Sequence, residues 1–184
     1  MSHTKIPKAF HELFGEEQIK SELIITLVFS VISFLALIVG TQDEWLGLQW
    51  YKIALLFLLM LDILGGEVAN LSFGTNQYYL KNPSKRWFFL AIHIQPFLLA
   101  WILNSNYMVA LLVWIYSIGS STIINLLQEK TYQRIAAGSL FGFGLIAFFL
   151  LNFNLPNVIS ILYTLYMFKL IFSFAVDHWT LSKG

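Results

Sequence analysis

Tyr51-Lys-Ile-Ala-Leu-Leu-Phe-Leu-Leu-Met-Leu-Asp62-Ile-Leu-Gly65-Gly66-Glu67-Val-Ala-Asn70 is an apolar run long enough to cross a membrane, with two carboxylates, two glycines and an amide inside it. An ionisable side chain at the centre of a membrane helix costs roughly 2.5–3.5 kcal/mol on insertion scales, so such residues normally carry a role. Composition sets the context. Only 11% of the 184 residues are charged, 58% are hydrophobic and the mean hydropathy is +0.70. A soluble domain is nearer a quarter charged. The reading is therefore a polytopic membrane protein bounded by the lipid bilayer.

Outward from that stretch, five more apolar runs can be marked: Leu23 to Gly40, Trp87 to Leu103, Tyr107 to Leu127, Ile135 to Phe153 and Val158 to Val176. Each is close to the ~20 residues that spanning ~30 Å of hydrocarbon requires. The second run itself extends to about Phe73. Links as short as Asn104-Ser-Asn106 and Asn154-Leu-Pro156-Asn157 force antiparallel neighbours. The expected architecture is all-α, a compact bundle of six transmembrane helices over 22–178. A cytoplasmic segment over 1–21 precedes it and a tail over 179–184 follows. Within the first segment Ile6, Phe10, Leu13 and Phe14 recur at helical spacing, the pattern of a short amphipathic helix on the inner leaflet.

Charge placement orients the bundle. With the N-terminus inside, nine of the eleven Lys and Arg residues fall on the cytoplasmic side: Lys5, Lys8, Lys20, Lys81, Lys85, Arg86, Lys130, Arg134 and Lys183. Lys52 is alone outside, and Lys169 lies within the sixth helix. That asymmetry is the positive-inside signature, so both termini are expected in the cytoplasm of a multi-pass cell-membrane protein. A net charge of +1 leaves no basic patch for nucleic acid. The chain has no cysteine, which removes thiolate metal sites and a cysteine nucleophile.

Depth selects the candidate site. At 1.5 Å per residue, Asp62 lies roughly 16 Å from the outer end of its helix and Lys169 roughly 17 Å from the outer end of the sixth. They form a candidate ion pair near the midplane, and the same pair would also serve simply to fix how two helices dock. Glu67 is deeper, at a level shared with His93, which lies roughly 9 Å in from the cytoplasmic side. Asn70 follows Glu67 by one helical turn, Gln95 is close to His93, and Pro96 is expected to kink the third helix and free the carbonyl of Ile92. Two half-sites are thus expected, Asp62 with Lys169 and Glu67 with His93 and Asn70. Polar lines on the fourth and sixth helices, Ser117-Ser121-Asn125 and Tyr166-Lys169-Ser173-Asp177, face other helices or water. Gly65-Gly66 either admits a neighbouring helix or loosens the second helix. Gly138 and Gly142 make a GxxxG face for packing, in the bundle or between protomers.

There is no His-Glu-x-x-His helix, no Gly-x-Ser-x-Gly elbow and no phosphate-binding glycine loop, and no cofactor is expected. Three functional classes follow. The first is transport of a small solute or ion, proton-linked through Glu67 and His93, with Asp62 and Lys169 as the central pair and Gln95, Asn70, Asn125 and Asp177 lining the site. The second is an intramembrane enzyme acting on lipid or an apolar peptide. There Glu67 and His93 would be the acid/base pair, or metal ligands together with Asp177 or His178. The third is a non-catalytic membrane subunit.

Overall fold

The computed structural model describes residues 2–179. Lys183 and all but the first residue of the expected tail lie outside the described residues. What is described is almost wholly helical. A short antiparallel ribbon, β1 (His3–Lys5) and β2 (Glu17–Ile19), brackets a 3-10 turn at Lys8–Phe10 and the one-turn helix α1 (His11–Phe14). Then come α2 (Lys20–Gly40), α3 (Trp50–Ala69), α4 (Phe73–Lys81), α5 (Pro83–Ile92), α6 (Gln95–Ile102), α7 (Tyr107–Leu126), α8 (Gln133–Leu150) and α9 (Asn157–Phe168). The last runs on as a π-helical segment, Lys169–Phe174, with the wide-ring bond from Ala175 N–H to Leu170 O at 3.2 Å.

Among the described residues four helices are long and apolar enough to cross a membrane: α2, α7, α8 and α9 with its π segment. The second apolar run forms α3 and then bends. Past Ala69 the chain turns through 88° into α4. The third run is interrupted. His93 and Ile94 leave the helix, Ile94 N–H bonds back to Ile92 O at 2.9 Å, and Pro96 sits in the first turn of the new helix α6. The Ile92 carbonyl expected to be free is thus taken by a tight turn. Proline accounts for the break, because it lacks the N–H and is tolerated at a helix start but not in its interior.

Helix ends absorb much of the polar inventory. Both oxygens of Glu44 accept from the first N–H groups of α9, Asn157 and Val158, each at 2.8 Å. Asn106 caps α7 through the N–H of Met108 at 2.9 Å. Lys52 donates to the last carbonyls of α6, Trp101 O at 3.1 Å and Ile102 O at 3.2 Å. Carboxylate at the amino end and ammonium at the carboxyl end are the placements that the helix dipole favours. The tight links use asparagine in the left-handed region, Asn104, Asn152 and Asn154 at φ of 48°, 42° and 49°, where its short amide side chain is tolerated.

The N-terminal segment is a clasp rather than a surface helix. Pro7 and Gly15, the latter at φ 74°, bound its helical part. Phe73 N–H donates to Glu22 Oε2 at 3.0 Å and Gly74 N–H to Gln18 Oε1 at 3.2 Å, so the clasp caps α4. Gln18 Nε2 also donates to Ser72 Oγ at 2.6 Å, and Tyr79 Oη to Glu12 O at 2.9 Å. A methyl on Gly74 would strike the carbonyls of Glu17 and Phe14. Both are backbone, so Gly74→Ala should prise the clasp off α4 at a cost of about 1–3 kcal/mol. Limited proteolysis between residues 2 and 19 should then run faster than in the parent. Unchanged cleavage would mean that the clasp is not held by this approach.

Packing follows the exposed and buried stripes. α2 buries only Thr26, Ser30 and Leu37 and turns its apolar remainder outward. It lies along α3, where Gly65 comes within 3.5 Å of Ser30 Oγ from the position of a Cβ. α9 and its π segment are the most enclosed element, with Ile159, Leu162, Tyr163, Tyr166 and Leu170 fully buried. On α8, Gly144 receives the Tyr116 ring, whose hydroxyl reaches Leu140 O at 2.5 Å, whereas nothing lies within 4 Å of a Cβ on Gly142.

Candidate functional site

Five ionisable or amide side chains make up the candidate site, Asp62, Glu67, His93, Gln95 and Lys169, all of them buried except the half-exposed Asp62. α3 supplies Asp62 and Glu67, the break between α5 and α6 supplies His93 and Gln95, and the π segment begins at Lys169. Lys169 Nζ donates to Asp62 Oδ2 at 2.9 Å and to the Asp62 carbonyl at 3.1 Å. Gln95 Nε2 donates to the same Oδ2 at 2.8 Å. The pair expected from matching depths is therefore a direct ion pair.

The two halves of that pair have different surroundings. The Lys169 side chain is 2% exposed and that of Asp62 is 38% exposed. Room for the ammonium comes from Gly66, where a Cβ would stand 2.5 Å from Lys169 Cε and 2.8 Å from Nζ. Neither glycine breaks α3, which is continuous to Ala69. Close approach is their use, to α2 at Gly65 and to the lysine at Gly66. On its other side the ammonium lies 5.8 Å from the Phe89 ring centroid, within cation–π range.

Glu67 and His93 are both buried, yet they do not form the pair that the sequence suggested. His93 Nδ1 faces Phe89 O, and Nε2 has no partner among the described residues. Glu67 Oε2 is likewise buried without a partner. What links His93 to the ion pair is the Phe89 ring, whose centroid lies 3.8 Å from that of His93 and 5.8 Å from the Lys169 ammonium. Asp62, Gln95 and Lys169 are joined by hydrogen bonds, and Glu67 is buried further along α3 from Asp62. Gln95 Oε1 is a third buried atom, an acceptor, without a hydrogen-bond partner among the described residues. Each unpartnered buried polar atom costs on the order of 1–3 kcal/mol, and such a concentration is the usual mark of a site that holds something or moves something. Tyr166 Oη fixes the break by donating to His93 O at 2.7 Å, and Tyr163 Oη does so at Pro96 O at 2.9 Å.

Asn125 and Asp177 belong elsewhere. The π segment ends inside the bundle, and its free carbonyls are met by side chains from four directions. Arg86 Nη2 donates to Ala175 O at 2.7 Å and Phe174 O at 3.3 Å, while Arg86 Nε donates to Asn125 Oδ1. Gln133 Nε2 reaches Ala175 O at 3.1 Å, and its Oε1 accepts from Asp177 N–H at 3.0 Å. Asn76 Nδ2 takes Val176 O at 3.2 Å, and His178 Nε2 lies 3.1 Å from Phe172 O. Burial holds the His178 imidazole below the ordinary histidine value. Asp177 Oδ1 accepts from Trp179 N–H at 3.1 Å. Asn70, at the end of α3, joins neither cluster by a hydrogen bond from Nδ2, which has no partner among the described residues.

A metal set drawn from His93, Glu67, Asp177 and His178 is not assembled. Among the described residues no three His, Asp or Glu side chains converge as ligands, because 177 and 178 are engaged at the helix end. Arg86, Gln133, Asn76 and Phe89 escaped the sequence reading. Arg86, one of the nine basic residues on the expected cytoplasmic side, is buried on α5. Its spacing to Phe89, Leu90 and His93 is that of one helical face, and this signal could have found it. No protein-family model matches the chain, and neither a curated protein nor a solved structure does.

Proposed function

We propose that this is a multi-pass protein of the cell membrane that moves a small solute or ion, in a proton-linked manner, past the cluster around Lys169. In this reading the bent α3–α4 unit and the broken α5–α6 unit each count as one crossing. That gives six crossings with both termini cytoplasmic, in keeping with the nine basic residues on that side. The observation that carries the reading is the asymmetric ion pair at a helix break. Asp62 presents a carboxylate edge that is open at membrane depth, and the cation it neutralises is sealed behind it. A solute cation or proton that takes the open edge weakens the hold on Lys169, and Glu67 is the second carboxylate within reach of that charge. Broken helices that bare backbone and side-chain acceptors near the midplane are how many transporters build their sites. An enzyme working through Glu67 and His93 is less well supported, since these two side chains are not hydrogen-bonded to one another. The Gly138–Gly142 face, bare at Gly142, is available for a second copy or a neighbouring subunit.

The test is charge movement in reconstituted vesicles on a solid-supported membrane, with pH jumps and a panel of monovalent ions, divalent ions and small organic solutes. At least one class should give a current that Asp62→Asn reduces to the level of protein-free vesicles. Silence across the panel from folded protein would defeat the transport reading.

A further inference from the structure

At the end of the bundle that gathers the basic residues, the clasp and α4 enclose a cleft of about 620 Å³. One wall is the clasp and the other is α4 with Phe73, Gly74, Gln77, Tyr78 and Lys81. Lys5, Lys8 and Lys81 all line it, as do the rings of His3 and His11. Two of the eleven basic residues come from the ribbon and its turn and one from α4, so three separated pieces of backbone bring lysines to one cleft. Among the described residues the ion pairs are Lys85 with Glu12 and Lys169 with Asp62. None of the three cleft lysines belongs to either. Glu16 and Glu17 also line the cleft, and Glu17 lies directly across the ribbon from Lys5. Three lysines against two glutamates leave an excess of positive charge, and His3 and His11 add ring nitrogens, although His11 Nε2 already faces Ile6 O at 2.8 Å.

The walls are preset. Gln18, Thr75 and Tyr79 tie the clasp to α4, with Thr75 Oγ1 donating to Leu13 O at 2.9 Å, and Glu22 ties the start of α2 to it. Lys85 bonds Glu12 and Tyr78 at the rim. A site that is ordered before its ligand arrives loses less entropy on binding.

We propose that this cleft binds a phosphate-bearing anion, through Lys5, Lys8 and Lys81 acting as point charges and His3 and His11 as hydrogen-bonding groups. Phosphate suits it because the lysines come from separate pieces of backbone, which matches an anion with several equivalent oxygens better than a planar carboxylate. Two sources offer that chemistry at this place: the headgroup of an acidic lipid in the adjacent leaflet, and a soluble phosphorylated solute. The site is separate from the Lys169 cluster and stands or falls independently of transport.

The experiment uses the full chain and two probes. Glycerol phosphate is titrated by calorimetry into protein in neutral detergent. Phosphatidylglycerol or phosphatidylcholine is offered in nanodiscs, with retained lipid counted by native mass spectrometry. The parent should bind a phosphate probe, more weakly as salt rises, and prefer phosphatidylglycerol over phosphatidylcholine where lipid is the source. Lys5→Gln/Lys8→Gln/Lys81→Gln should weaken that binding about tenfold or more, and Lys20→Gln/Lys130→Gln should leave it unchanged. These lysines are exposed, so the variants should keep the parent's helicity and melting behaviour. Retention of phosphatidylglycerol alone assigns the ligand to the leaflet, and calorimetric binding assigns it to the soluble phase. Binding of neither probe by the parent, or equal loss in both sets of lysine variants, overturns the site.

Discussion

Asp62→Leu should be among the most damaging substitutions in the chain, costing about 3–5 kcal/mol, and Lys169→Met should cost clearly less. The asymmetry comes from the surroundings of the pair. Removing the carboxylate strands an ammonium that is almost wholly sealed and has only the Asp62 carbonyl left as a partner. Removing the ammonium leaves a carboxylate that keeps its bond from Gln95 at 2.8 Å and its open edge. Replacing both together should recover most of the loss, since a buried pair exchanged for apolar groups of similar volume is often neutral. The measurement is unfolding by denaturant titration in a fixed detergent, for both singles and the double. Exchanging the two residues, Asp62→Lys with Lys169→Asp, should not restore the parent. The gap over Gly66 fits a long stem arriving from α9, and a lysine at 62 has no such gap on its own helix. Equal costs for the two single variants would mean that the open edge of Asp62 gives a bare carboxylate no relief.

How much of this could be read beforehand is clearest at Asp62 and Lys169. Depth follows from residue count along a continuous helix, and α3 and α9 are unbroken up to the residues in question. For His93 the same count has no such basis. His93 stands where Pro96 has already ended one helix and Gln95 starts another, so neither its height nor its direction follows 1.5 Å per residue. Likewise the second and third apolar runs satisfied a hydropathy criterion that does not see a bend at Asn70 to Ser72 or a tight turn at Ile94. The helical spacing of Phe10, Leu13 and Phe14 is kept over Lys8–Phe14, but Pro7 and Gly15 limit that helix and the residues flanking it pair as a ribbon, which spacing alone does not reveal. Charge counts gave the orientation signal but hid Arg86, whose neighbours in sequence are a loop's and whose neighbours in space are a helix end's.

Arg86→Met should cost about 3–5 kcal/mol, comparable to breaking a buried ion pair. The reasoning starts from the helix end. Carbonyls from Phe172 to Val176 finish a helix inside the bundle, where water cannot serve them, and the dipole concentrates negative charge there. Arg86 answers both needs at once, with one nitrogen on two carbonyls, another on Asn125 and a full positive charge opposed by Asp177. Arg86→Lys keeps the charge but loses the fork, and should recover about half of the loss. Gln133→Leu should cost less than Arg86→Met, about 1–2 kcal/mol, since Ala175 O keeps its bond from Arg86. The effect should also travel. Arg86 fixes Phe174, which stacks at 3.9 Å on Phe89. Phe89 lies 3.8 Å from the His93 ring and beneath the Lys169 ammonium. Loosening the helix end therefore loosens the wall against which Lys169 is held. A double-mutant cycle between Arg86→Met and Asp62→Leu should show coupling of about 0.5–1 kcal/mol or more. Strict additivity would mean that the aromatic stack only fills space, and that the helix end and the ion pair are independent parts of the bundle.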